Sequence, residues 1–344
     1  MRSTTILLLA SLWLGTGGPL SAQVDPSVPQ FVASDHQDST HLEVFTAFAK
    51  TSRSEGHKLA AASALLRRSR ALDVRQAAFD TIAQVIDRLA TRDSLHYATE
   101  VEGISHLQSD NTAWQLFTWQ LFVNDSTYRY GGVLVTDETS TGVFHLDDQA
   151  QIKGLENEYE LSVDQWYGAL YYGVFPFTLK SGRPAWLLFG YDADGFYHRR
   201  KVADVLSFSR SGAPLFGAEV FRGKEGQPQA TFSRLILDYR VDARVGLRYD
   251  EVLGGIVHDR LVTGPPVVRG APPSRIPDGS YDGYVLDEDS GTWIYREEWF
   301  DRVVSPTAPR PEPVLNSSEE ATSRDLFGRP KKPRRTDRPA RVPR

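Results

Sequence analysis

The chain has 344 residues, 39 Lys/Arg against 44 Asp/Glu, a net charge of −5 and no cysteine. Without cysteine it has no disulfide, no thiolate nucleophile, no cysteine-type zinc site and no lipid-modified cysteine. The charge is uneven: Ser323 to Arg344 carries +7, so the remainder carries −12.

Residues 1–22 read as a secretory signal peptide. Arg2 supplies the positive start and "ILLLASLWL", Ile6 to Leu14, the apolar run. Small residues lead to a cleavage site after Ala22. The apolar run is too short to span a bilayer, which takes ~20 residues. The mature chain is therefore expected to lack a transmembrane segment and to reside in the periplasm, at the cell surface or outside the cell. A cysteine-free exported protein must be held together by its core. Residues 23–38 read as an unstructured lead-in.

Residues 39–110 read as a helical region. "THLEVFTAFAK" opens with Thr40 and has Glu43 three places on, the spacing of a capping box. From Glu55 to Leu89, Leu59, Ala62, Leu65, Leu66, Leu72, Phe79, Ile82, Ile86 and Leu89 recur at helical spacing. Asp73 marks a break, so one helix or two fit equally. The opposite face carries Arg67, Arg68, Arg70, Arg75 and Arg88 and is expected to be solvated.

After Asn111 the pattern changes. Runs such as "AWQLFTWQLFV", "YRYGGVLVT", "AWLLFGY", "FSRLILDYRV" and "TWIYREEW" are separated by the turn formers "NDST", "KSGRP", "SRSGAP" and "DEDSG". Residues 111–304 are thus predicted to form an antiparallel β meander, as a barrel, a curled sheet or propeller-like blades. No helices alternate with these strands, which argues against a parallel α/β sheet. The fold class is mainly β behind a short helical region. Residues 305–344, rich in Pro, Ser and Thr, bury too little surface to order and read as a disordered tail. Its basic end, with Arg329, Lys331, Lys332, Arg334 and Arg335, would suit an anionic partner surface. It lacks the interleaved aromatics of a specific nucleic-acid binder.

The order of "FTWQLFVNDSTYRYGGVLV", "WYGALYYGVFP", "LLFGYDADGFYHRRKVADVLSF", "RLILDYRVDARVGLRYDE", "IVHDRLV" and "PDGSYDGYV" resembles a group of exported β-rich proteins of Bacteroidetes-type bacteria. The resemblance spans about Trp114 to Trp299. It implies a secreted β-rich fold behind a short helical region. It implies no activity and no catalytic residue.

Chemical motifs are sparse. Asp192 and Asp194 in "DADG" fail as an EF-hand loop, because the glycine stands fourth from Asp192 rather than sixth and Ala203 holds the twelfth place. A hairpin turn on Gly195 fits better, with an irregular cation site or a catalytic pair as the sharper alternatives. Asp278 and Asp282 in "PDGSYDGY" repeat the theme. They suit a cation, a sugar hydroxyl or a turn into the last hairpin. Trp166 and Tyr167 in "WYGALYY" would make either a sugar-stacking platform or core. Glu297 and Glu298, if on one strand, face opposite ways. His258 beside Asp259 does so too and reads as structural. There is no G-x-S-x-G, no H-E-x-x-H, and "GAEVFRGKE" fails as a phosphate loop. No cofactor or metal is expected, and no catalytic residue is assigned.

These features predict a non-enzymatic binding protein for an envelope protein or glycan. The alternative is a polysaccharide hydrolase working through dispersed carboxylates such as Asp192, Asp278 and Asp282. A subunit docked by exposed Leu or Phe along Leu59–Leu89 is a third reading.

Overall fold

The computed structural model describes residues 54–137, 142–149, 160–193, 195–224, 231–271 and 273–299. The leader, the lead-in, the Thr40–Glu43 box, Asp194 and the basic tail all lie outside them.

Two helices come first, α1 (Glu55–Arg68) and α2 (Leu72–Thr91). Ser54 caps α1 by accepting the His57 N–H at 3.3 Å. The break falls at Ser69, whose backbone is extended, just ahead of the expected Asp73. Arg75 departs from the solvated arginine face: it is 7% exposed. Its guanidinium donates to the carbonyls of Ser69 (2.9 Å), Arg70 (2.6 Å) and Phe122 (3.0 Å). It thereby satisfies carbonyls that the helix break leaves without intrahelical partners.

Among the described residues, fifteen strands follow in three open sheets rather than a closed barrel. The first sheet is a meander of β1 (Ser105–Gln108), β2 (Trp114–Asn124), β3 (Thr127–Thr136) and β4 (Val143–Asp147). It begins before Asn111, within the stretch expected to be helical. The second contains β5 (Leu170–Thr178), β6 (Pro184–Asp192), β7 (His198–Phe208) and β11 (Leu235–Arg240), with β8 (Pro214–Phe216) also on β7. The third runs β10 (Thr231–Phe232), β9 (Phe221–Arg222), β15 (Thr292–Arg296), β14 (Ser274–Asp287), β13 (Gly255–Gly264), β12 (Leu247–Asp250). The pairings are antiparallel except β9 with β15, which is parallel.

Strand alternation assigns the faces. On β2, Phe117, Trp119 and Leu121 meet the helices, packing with Leu59, Leu65, Ile82 and Ile86. Trp114 and Leu116 point the other way, into a core shared with Tyr171, Leu188, Val202 and Leu206 of the second sheet. Leu187, Phe189, Ala203 and Val205, on the opposite face of the second sheet, pack with Ile256, Tyr284 and Trp293 of the third. The order is helices, first sheet, second sheet, third sheet, with a core in each gap. Trp119 illustrates the closeness of the first gap: its indole lies on Gly131, where a Cβ would collide with the ring. No helix among the described residues is long and apolar enough to cross a membrane.

Candidate functional site

Polar side chains gather in two of these gaps. The first gathering lies between the first and second sheets. Asp192 ends β6 and is fully buried. It accepts from the Tyr130 hydroxyl at 3.1 Å, the Tyr167 hydroxyl at 3.1 Å and Arg200 Nη1 at 3.4 Å. Arg200 stands directly across the β6–β7 pair, and Asp238 of β11 stands across from Arg200 in turn. Asp204, also fully buried, takes the Tyr171 hydroxyl at 2.8 Å and Arg234 Nε at 2.8 Å. Burial, and then the neighbouring carboxylate, raise the Tyr130 and Tyr171 hydroxyls well above the ordinary tyrosine range. Both remain proton donors. This network joins two sheets and leaves Asp192 and Asp204 no access to solvent.

That placement decides several sequence expectations. Asp192 closes β6 in register with Arg200 of β7, and Gly195, at φ 114°, lies in the connection between these antiparallel neighbours. Trp166 is 0% and Tyr167 2% exposed. They form core, not a stacking platform, because their strand-flanking segment closes over the second sheet. The apolar stripe of the helices is likewise spent on the first sheet; Leu59, Leu65, Phe79, Ile82 and Leu89 are buried.

The second gathering lies at the end of the core between the second and third sheets. There a cleft of about 360 Å³ opens between β11 and the β13–β14–β15 face. Its apolar wall includes Phe232, Leu235, Leu237 and Tyr284; its polar wall includes His258, Arg260, Asp282 and Tyr295. His258 and Asp282 are direct partners across β13 and β14, so they share a face. Beyond them the register slips between Asp259 and Leu261. "PDGS" is therefore a bulge inside β14 opposite Arg260, not the approach to the last hairpin. Asp278 is exposed on that bulge, capped by the Ser280 hydroxyl at 2.6 Å and N–H at 2.9 Å.

Asp282 is 5% exposed. It accepts from Arg260 Nη2 at 2.7 Å, Arg260 Nε at 3.0 Å, the Tyr295 hydroxyl at 2.7 Å and the Glu298 N–H at 3.1 Å. Burial works to raise its pKa, but those hydrogen bonds outweigh burial and hold the carboxyl below the usual range. Glu297 and Glu298 correct the strand expectation. β15 ends at Arg296, and Glu298 turns back with φ 51°, so the two are not alternating strand residues. Both approach Arg260, at 3.7 Å and 3.1 Å. Lys224 binds Glu297 at 2.6 Å.

His258 is the residue whose reach the sequence did not reveal. It is 7% exposed. Nδ1 lies 2.9 Å from the Asp259 carbonyl oxygen, so Nδ1 carries the proton. Nε2 is buried and has no hydrogen-bond partner. Burial lowers its pKa, which keeps the ring neutral and Nε2 an acceptor. Its strand partner Asp282 is 24 residues downstream, too distant for a short motif.

A second cavity, of about 440 Å³, lies beside α1 and is lined by Leu66, Arg67, Gln120, Phe122 and Leu170. Its cation is already clamped, Arg67 Nη2 to Glu102 at 2.9 Å. No cluster of three or more His, Asp or Glu suited to a metal ion occurs among the described residues. No protein-family model and no curated protein matches the chain.

Proposed function

We propose that the chain is an exported, non-catalytic binding protein acting at the cell envelope or outside the cell. The observation that carries this reading is that its candidate carboxylates do not form a free pair: Asp192 is sealed in another layer, and Asp282, though near enough to Asp278 to feel its charge, is saturated. Asp192 is sealed between the first two sheets, Asp282 sits on the third, and Asp278 is exposed on the bulge. A glycosidase holds its two carboxyl groups about 5–10 Å apart, flanking one bond. Asp192 is walled off in another layer and cannot take part. Asp282 has both oxygens committed to Arg260, Tyr295 and Glu298, so it is neither a free nucleophile nor a proton donor. The leader-like start and the cysteine-free composition support export. The basic residues Arg329 to Arg335 suit an anionic surface as an auxiliary contact.

The test uses the chain purified after export, incubated with cell-wall and extracellular polysaccharides and with its own envelope fraction. Retention on a glycan or an envelope protein, with no reducing ends released, is the expected result. Release of reducing ends that Asp282→Asn abolishes would establish the hydrolase instead.

A further inference from the structure

Buried polar atoms in folded proteins are nearly always hydrogen-bonded, and an exception calls for an explanation. His258 Nε2 is such an exception, and its ring lines the cleft between β11 and the third sheet. Resting on the binding reading above, we propose that this cleft binds a neutral polyhydroxylated ligand, a mono- or disaccharide. One ligand hydroxyl donates to His258 Nε2.

The cleft's own chemistry selects the class. Two of its cations already have anions: Lys224 holds Glu297 at 2.6 Å, and Arg260 holds Asp282 at 2.7 Å and Glu298 at 3.1 Å; the third, Arg275, is exposed and donates to the Leu261 carbonyl at 3.5 Å. An anionic ligand would have to displace a carboxylate from one of the pairs or rely on Arg275 alone. A cationic ligand would have to displace a guanidinium or ammonium. Hydroxyl groups bridge such pairs without breaking them, because each both donates and accepts. The apolar side fits as well. Phe232 stacks on Phe221 with rings 5.5 Å apart and 10° from parallel, and it also lines the cleft. An aromatic wall facing a few fixed polar groups is the usual composition of a small-molecule site. The cleft's 360 Å³ falls at the lower end of the ~300–1,000 Å³ such sites span.

The arrangement separates two jobs. Asp282 lines the cleft with its oxygens already taken, and it holds Arg260 and Tyr295 in place. His258 does meet it, and its tautomer is set by the Asp259 carbonyl.

Saturation-transfer NMR and calorimetry on the exported chain test the assignment, with glucose, galactose, N-acetylglucosamine, maltose and cellobiose as probes. Glucuronate and galacturonate are the acidic comparison. At least one neutral sugar is expected to bind more tightly than the acids. His258→Leu, which lacks an acceptor, should weaken it about tenfold, the worth of one hydrogen bond to a buried group. His258→Gln, whose amide oxygen reaches the Nε2 position, should stay within about threefold of the parent. Unchanged sugar binding in His258→Leu overturns the site. No neutral-sugar binding, or tighter binding of the acids, overturns the ligand class. Envelope retention would survive either failure, whereas release of reducing ends would sink the non-catalytic reading alone.

Discussion

His258 and Asp282 face each other across β13 and β14, yet each spends its hydrogen bonds elsewhere. The histidine gives its one N–H to the Asp259 carbonyl, and the aspartate takes Arg260, Tyr295 and the Glu298 amide. A catalytic relay would need the two joined. Their separation leaves one buried acceptor open and one carboxylate saturated.

An open acceptor costs the unliganded fold. A buried polar group without a partner is destabilising by about 1–3 kcal/mol. His258→Leu should therefore leave the denaturant midpoint equal to the parent or higher. A loss above ~2 kcal/mol would mean that the ring is needed for packing.

The same residue has a pH signature. Burial holds its folded pKa below the ordinary histidine value of 6.5. The unfolded chain then takes up the proton first as pH falls. The stability linked to neutral His258 is complete above pH ~6.5 and is lost below it, as pH falls toward the folded pKa. His106, also lowered chiefly by burial, adds to the slope. His258→Leu should flatten the stability profile between pH ~7 and ~5. An identical slope in parent and variant would show that His258 does not titrate differently on folding.

Asp282 acts at lower pH. Its folded pKa is depressed below the ordinary aspartate value of 3.8, so its contribution is present above that value and disappears as pH falls through the folded pKa. Asp282→Asn should cost about 1.5–3 kcal/mol at neutral pH, the range for a charged hydrogen bond. The difference from the parent should shrink in acid below pH ~3.8. Equal stabilities at pH ~7 would remove the brace from the account.

Asp192→Asn tests the hairpin end. A turn aspartate would tolerate the change, but this one is buried under two tyrosine hydroxyls and Arg200. The expected loss is about 2 kcal/mol, measured by chemical denaturation. A change within ~0.5 kcal/mol would place Asp192 at the surface.

The Asp204–Arg234 pair is fully buried on both sides, at 2.8 Å. Removing one member strands a charge, so Asp204→Ala should cost about 3–5 kcal/mol. The double variant Asp204→Leu/Arg234→Met should be more stable than the single, because no charge is left uncompensated. If the double variant is the weaker one, the pair is more than a compensated desolvation.

Much of the β architecture was legible because its signals are local. Alternation and turn formers located β2 to β7 and β11 to β13. The strands that were missed, β1 "SHLQ", β10 "TF" and the first half of β14, are short, polar or interrupted by Pro277. Their pairing partners define them, not their own pattern. The same cause misplaced Glu297 and Glu298, since the end of β15 is set by pairing with β14.

The sequence by itself determined a cysteine-free, mainly β chain behind a helical region, and favoured a turn at "DADG". Periodicity, propensity and glycine's freedom at positive φ act over a few residues and can be read in one dimension. Only the tertiary structure decided that the strands form three stacked open sheets, that Trp166, Tyr167 and Asp192 are interior, and that His258 faces Asp282. Those facts depend on register and on which face each sheet buries, and a one-residue slip would reverse them. Burial and pairing across long sequence separations made core of Trp166 and Tyr167 and placed a cleft at the histidine read as structural.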